Sequence, residues 1–428
     1  MKKFLLLILT LFVTAGCSEV GKTQPTAVTK TDVEKAEESL AEPKTEKTTT
    51  HKKSEKPPKN LILETLDNVE VYEKIKISDF VTDTNIEILN PDELISTNKL
   101  GVSEVYIDCL GDEGEFQQKV KYTVSDTTAP VILNMGTSPY TQKGEPFNLS
   151  EIVGFADNYD PVPTLTYDGT VDTDTVGIYP ITAKITDNSG NETSWDMTIV
   201  VLNEIPDKNF SGSSDDSTTD FKDFVKTYEG ENRQFGIDVS TWQGDIDFKA
   251  VKKAGCDFVI IRIAYYYDMI TIDDCYLANI KNARDAGLKV GVYFYTTDNT
   301  ADGIKEHAKW IAETLDGQEL DFPVAFDWEE FTNFQEYRMS IHDLNELFNL
   351  FSAEMASHGY SAMLYSSKNF LENFWINDYN RPVWLAHFID KTNYTGDYFM
   401  WQASCTGRID GIDGDVDMNI LYTDRPVD

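Results

Sequence analysis

Positive charge is scarce in this sequence. Its 428 residues carry 37 Lys and Arg against 73 Asp and Glu, a formal net charge of -36. Such a surface repels polyanions, which excludes nucleic acid as a partner. Cysteine is also scarce. Cys17, Cys109, Cys256, Cys275 and Cys405 are scattered, with no CxxC pair, so neither a zinc ribbon nor a disulfide framework is indicated. The last four read as free, buried thiols, with a Cys256–Cys275 bridge as the open alternative. The apolar run from Phe4 to Val13 is too short for a stable transmembrane span. What is present is enough apolar material, 41% of residues, for two to four domains with proper cores.

The N-terminus has the order of a secretory signal. Lys2 and Lys3 precede the apolar run, and Thr14-Ala15-Gly16 precede Cys17. Cysteine directly after Ala-Gly resembles the lipobox of bacterial lipoproteins. Residues 1–17 are therefore expected to be a lipoprotein signal, with lipidation at Cys17 and an extracellular, membrane-anchored product. Thr14 stands where that motif usually has Leu. Residues 18–58 are rich in Thr, Lys, Glu and Pro. Such a segment cannot offset its ordering entropy by burial, so a disordered linker is expected.

From about residue 59 the pattern changes to short β-type runs separated by Asp, Asn and Gly. Gly101, Gly114 and Pro130 recur in spacing as Gly177, Gly190 and Pro206. A repeat of this kind predicts two like modules, 59–127 and 128–204. The segment from Asp126-Thr-Thr-Ala-Pro130 to Asp187-Asn-Ser-Gly190-Asn191 resembles bacterial immunoglobulin-like modules, which implies two all-β sandwiches. Asp157-Asn158-Tyr159-Asp160 fits either a calcium loop or plain turn chemistry. Residues 205–232 read as a second linker, ending in a short helix near Phe221 to Tyr228.

In residues 233–428 apolar runs alternate with amphipathic stretches, as in repeated β–α units. These predict a parallel sheet, and up to eight strands favour an α/β TIM-like barrel. A barrel carries its active site at the C-terminal ends of its strands. Asp238 ends the first predicted strand, and Asp327 and Glu329 close the fourth. Asp417 lies near the last strand, beside the first if the barrel closes. Residues two apart on a strand share a face, so Asp327 and Glu329 would face one cleft. Glycoside cleavage needs one carboxylic acid to protonate the leaving oxygen and one carboxylate to stabilise or attack the developing cation. Crowding raises the pKa of at least one acid, which suits Glu329 as proton donor near neutral pH. Asp238 also has a plain reading as a helix cap, and Asp327 and Glu329 as a solvated strand end; Asp413, Asp415 and Asp417 suggest a calcium loop, against which Met418 stands where its turn needs Gly.

The run Gly236-Ile-Asp238-Val-Ser240, Phe258 to Arg262, Val290 to Tyr293, Pro323 to Glu329, Trp384 to Ala386, Trp401-Gln402 and Gly414 to Asn419 resembles glycoside hydrolase family 25, the muramidase type of lysozyme. The resemblance implies Glu329 as general acid/base, Asp327 as positioning and polarising group, and Asp238 and Asp417 as shapers of the cleft's charge. It implies hydrolysis of the β-1,4 bond between N-acetylmuramic acid and N-acetylglucosamine, with no cofactor and no metal. Tyr293, Tyr365, Trp384 and Gln402 match cleft-lining, substrate-binding positions. Phe294 stands where many members have His. Ile-Ala-Tyr-Tyr-Tyr follows Arg262, where small residues and Gly are common. The expected partners are peptidoglycan glycan strands and, through the lipid, the membrane; a monomer is expected. Two other readings stay open: a non-catalytic glycan-binding adhesion lipoprotein, and a glycosidase acting on chitin.

Overall fold

The computed structural model describes residues 68–79, 86–111, 114–134, 139–205, 218–331, 334–376 and 381–425. Cys17 and the signal and linker expected at 1–58 lie outside the described residues.

Two small β modules come first. The first has β1 (Val69–Glu70), β2 (Glu87–Ile88), β3 (Gly101–Gly111) and β4 (Gly114–Ser125). The second has β5 (Val131–Asn134), β6 (Tyr140–Gln142), β7 (Val153–Ala156), β8 (Thr164–Gly169), β9 (Gly177–Thr186) and β10 (Glu192–Leu202). Their main sheets run in the orders β1-β4-β3-β2 and β6-β10-β9-β8, and β5 pairs with β7. The repeat seen in the sequence thus becomes a repeated hairpin, β3–β4 and β9–β10, each with a short parallel strand on its second arm. Alternation sets the faces. Val105, Ile107 and Cys109 point into the first core, and Ile181, Ala183 and Ile185 into the second. Between the modules the side-chain oxygens of Asp126, Asp157 and Asp187 approach to within 4.8 Å of one another.

The segment expected as a linker up to 232 is shorter than that. β11 (Thr219–Asp220) pairs in parallel with a strand of the last domain, at Gly407 and Arg408. The helix α1 (Phe221–Tyr228) follows, capped by Asp220. It buries Phe221 and Phe224 in that domain's core. Burial of two aromatic rings outweighs the polar composition of the residues before them.

The last domain alternates strands and helices. Its strands are β12 (Arg233–Val239), β13 (Phe258–Tyr266), β14 (Ile270–Ile272), β15 (Lys289–Thr296), β16 (Val324–Asp327), β17 (Ala362–Ser367), β18 (Val383–Ala386), β19 (Met400–Arg408) and β20 (Val416–Tyr422). Its helices are α2 (Phe248–Lys253), α3 (Tyr276–Asp285), α4 (Ala301–Leu315), α5 (Phe334–Tyr337), α6 (Ile341–Ser357) and α7 (Lys368–Asn373). Phe258 to Ala264 is nearly all apolar, as a strand covered on both faces requires. Gly287 (φ 77°) and Gly359 (φ 85°) end α3 and α6 in the left-handed region, a backbone conformation that residues with a side chain rarely adopt.

Neighbours β12, β13, β15, β16, β17, β18 and β19 pair in parallel. β20 pairs with both β19 and β12, so the pairing runs round a closed circuit of eight strands. The expectation of a purely parallel sheet fails at β20, which is antiparallel to both neighbours. Only residues 409–415 join it to β19, and a connection that short has no room for a crossover helix.

The second module and the last domain touch directly. The Ile341 and His342 amides at the start of α6 donate to the Asp157 and Asn158 carbonyls at 2.7 and 3.3 Å. Tyr72 of the first module stacks on His342, with centroids 3.5 Å apart.

Phe224→Ala should lower stability by about 3 kcal/mol or more, the ordinary cost of an aromatic cavity. Lys226→Ala, on the exposed side of α1, should leave the urea midpoint unchanged. Equal midpoints for both variants would show that α1 is not part of the core.

Candidate active site

The register lines up one tier of residues across neighbouring strands. Tyr265 of β13 pairs with Tyr295 of β15, Tyr295 with Asp327 of β16, Asp327 with Tyr365 of β17, and Tyr365 with Trp384 of β18. This tier sits near the C-terminal ends of its strands. Tyr365 and Trp384 pack edge to face at 4.7 Å, and Tyr293 meets Trp384 at 6.3 Å. Asp238 closes the tier from the other side, opposite Asp417 in the β12–β20 pairing.

A buried amide network fixes this side. The Asp238 Oδ2 accepts from Gln402 Nε2 at 2.9 Å and from Asn419 Nδ2 at 2.7 Å. Tyr365 Oη donates to Gln402 Oε1 at 2.8 Å, and Trp384 Nε1 donates to Asn419 Oδ1 at 2.8 Å. Each amide therefore receives on its oxygen and gives through its nitrogen, which settles its orientation. Asn419 and Arg262 stand in the matched segments without a role assigned from sequence. Their signal in the sequence was a polar residue inside an apolar strand.

The acids differ in environment. Burial pushes Asp417 well above the usual carboxylate range, and the charge on Asp238 adds to this. Burial also raises Asp238, against the two amide donors and a hydrogen bond from Asp417. The proton of this pair therefore sits on Asp417 and the charge on Asp238. Asp327 is buried, and its Oδ1 has no hydrogen-bond partner. Burial, then Glu329 and Asp238, push its pKa well up, while Arg262 opposes them. Arg262 is itself held by Asp273, Nε to Oδ2 at 2.8 Å.

Glu329 stands two residues past Asp327, just beyond the end of β16. Trp328 between them is fully buried and donates to the Asp298 carbonyl at 3.1 Å. That anchor turns Glu329 outward. The residue reaches solvent, yet protein crowds its carboxyl closely enough to push the pKa up to about 7, with Glu330 as the second cause. Glu330 accepts from Tyr295 Oη at 3.1 Å and from Tyr337 Oη at 3.4 Å. Asp327 and Glu329 thus share one face only in part. The two acids act on one another, but one is buried and the other accessible.

Phe294, where the resemblance has His, is fully buried and packs its ring 5.2 Å from His307. It faces α4 and not the acids. The four described cysteines are free thiols; Cys109 and Cys256 are buried, while Cys275 and Cys405 are only partly so. A separate cavity of about 420 Å³, between α7 and residues 394–396, contains none of the acids.

The model of glycosyl hydrolases family 25 matches residues 237–412, and that of the bacterial surface protein Ig-like domain matches residues 133–201. The C-terminal domain belongs to glycosyl hydrolase family 25. The family 25 domain is 29% identical over 188 residues to the autolytic lysozyme of Clostridium acetobutylicum, covering 43% of this chain and 54% of that protein. It is 30% identical over 198 residues to lysozyme M1 of Streptomyces globisporus, covering 43% and 66%. The chain thus spans about half to two thirds of the length of these relatives. Among solved structures, the bacterial lysozyme from Streptomyces coelicolor is 27% identical, covers 44% of this chain and 90% of that one, and gives a TM-score of 0.37.

Asn419→Leu removes one donor from buried Asp238 and the acceptor of buried Trp384. It should cost at least about 2 kcal/mol, since each unmatched buried group costs about 1–3 kcal/mol. An unchanged chemical unfolding midpoint at pH 7 would overturn the role given to this amide.

Proposed function

We propose that the chain is a cell-surface peptidoglycan hydrolase, an N-acetylmuramidase that cuts the β-1,4 bond between N-acetylmuramic acid and N-acetylglucosamine. The observation that carries this reading is the contrast between Asp327 and Glu329. One is buried with an unmatched oxygen; the other is accessible, with a pKa near the working pH. Glu329 is the general acid that protonates the leaving oxygen, then the base that activates water. Protonated Asp327 offers a donor to the substrate and positions it. Asp238 and Asp417 hold one negative charge under the developing cation. Tyr293, Tyr365 and Trp384 supply ring faces for sugars, and Gln402 keeps Tyr365 and Asp238 in place. The lysozyme names of the relatives support the same chemistry.

The finer architecture belongs to this reading. The closed circuit of eight strands is a TIM-like barrel variant with one reversed strand, and both β modules are immunoglobulin-like spacers. Cys17 carries the lipid that holds a monomer on the outer face of the membrane. The basic start and the Ala-Gly-Cys order support this.

The full chain should release muramic acid reducing ends from purified peptidoglycan. Glu329→Gln should lower that rate by about 10²–10⁴-fold, the ordinary worth of a positioned acid. Wall binding without new ends from the wild type would favour the adhesion reading instead. The acid works protonated, so kcat/KM should fall about tenfold per pH unit above about 7. A rate that climbs steadily through pH 8 would exclude Glu329 as the acid. Cys17→Ala should move the protein from the membrane fraction to the medium.

A further inference from the structure

β13 carries an irregularity that the proposed chemistry does not use. Its register to β15 shifts between Arg262 and Ala264: Arg262 pairs with Tyr293, but Ala264 pairs with Phe294. One extra residue, Ile263, is absorbed there. A bulge re-aims every side chain after it. Arg262 and Tyr265 therefore share a face, and the Arg262 guanidinium lies over the Tyr265 ring at 5.2 Å. Without the bulge Tyr265 would point to the opposite face. The bulge thus places Tyr265 in the tier that contains Asp327.

Beyond Tyr266 the chain turns back through β14, with Tyr266 paired to Ile270. Tyr267 sits at the tip of this hairpin and is 59% exposed. It is not loose. Thr297 donates to its carbonyl at 3.3 Å. Its ring packs against Tyr265 at 5.7 Å and against Tyr295 at 5.5 Å. Tyr295 reaches Glu330, the neighbour of Glu329. An unbroken line of contacts therefore runs from the accessible acid to an exposed, braced ring. It lies on the side of Asp327 away from Tyr365 and Trp384.

We propose that Tyr267, backed by Tyr265 and Tyr295, is a stacking wall for a sugar ring of the glycan strand, beyond the unit held at the acids. This rests on the hydrolase reading of the same site. The chemistry fits a hexosamine: its flat apolar face covers an aromatic ring and its hydroxyls stay in water. Two supporting rings fix the wall before the ligand arrives, so little ordering is lost on binding.

The test is calorimetric binding of peptide-free glycan strands of alternating N-acetylglucosamine and N-acetylmuramic acid. The full chain carries Glu329→Gln to stop turnover. Adding Tyr267→Ala should weaken binding of long strands by about three- to ten-fold, the worth of one ring contact. Tyr267→Phe should retain the affinity, because the ring face stays. A single disaccharide should bind all three proteins alike. Equal affinity of long strands for the alanine variant, at unchanged melting temperature, overturns the proposal. So does an equal loss for the disaccharide, which would put Tyr267 at the acids themselves. If the wild type releases no reducing ends while the alanine variant still binds long strands more weakly, the hydrolase reading fails and the wall stands.

Discussion

The site depends on one buried amide. Asn419 on the reversed strand gives a hydrogen bond to Asp238 and takes one from Trp384. It thereby joins β20 to β12 on one side and to β18 across the middle. Among the described residues, the hydrogen-bond partners of Asp238 are neutral amides and Asp417, with no cation. A buried carboxylate in that position stays charged only if donors converge on it. Asn419 and Gln402 are those donors, and each is aligned in turn by an aromatic hydrogen bond. The acids that crowd the strand ends are tolerable because this amide pair absorbs the first charge. The proton then stays on Asp417, and the charge on Asp238 helps to push up Asp327. Glu329 is raised separately, by burial and then by its neighbour Glu330.

Much of this was legible in the sequence. Asp238, Asp327, Glu329 and Asp417 were found from their positions at predicted strand ends, and the structure brings them together. The amphipathic patterns at Asp302–Leu315 and His342–Ser357 predict helices there, and α4 and α6 each begin one residue earlier, after the capping residues Thr300 and Ser340. The direction of β20 was not legible. Its residues read as a strand in either sense, and only the short connection before it decides. The bulge at Ile263 was equally hidden. Period-two alternation has no mark for one extra residue in a run that is apolar on both faces but for Arg262. The early start of the last domain was missed because polar composition up to Thr219 masked two buried phenylalanines further on.

The acids also divide into two chemical types in a way that spacing alone did not show. Two residues apart on a strand suggested equivalent carboxyls. Trp328 breaks that equivalence by burying its ring and anchoring its nitrogen on the Asp298 carbonyl. Strand geometry ends at Asp327, and the next carboxyl emerges beside solvent. A buried group and an accessible group of the same chemistry are what an acid and its positioning partner require.

The contact between the β modules and α6 has a mechanical consequence. Tyr72 lies flat on His342, and two backbone amides of α6 are tied to the turn at Asp157. Helix α6 in turn packs on β17, which carries Tyr365. The β modules and the family 25 domain are therefore joined by backbone and ring contacts at the start of α6. A change at His342 therefore disturbs the β modules and the helix that backs Tyr365 together.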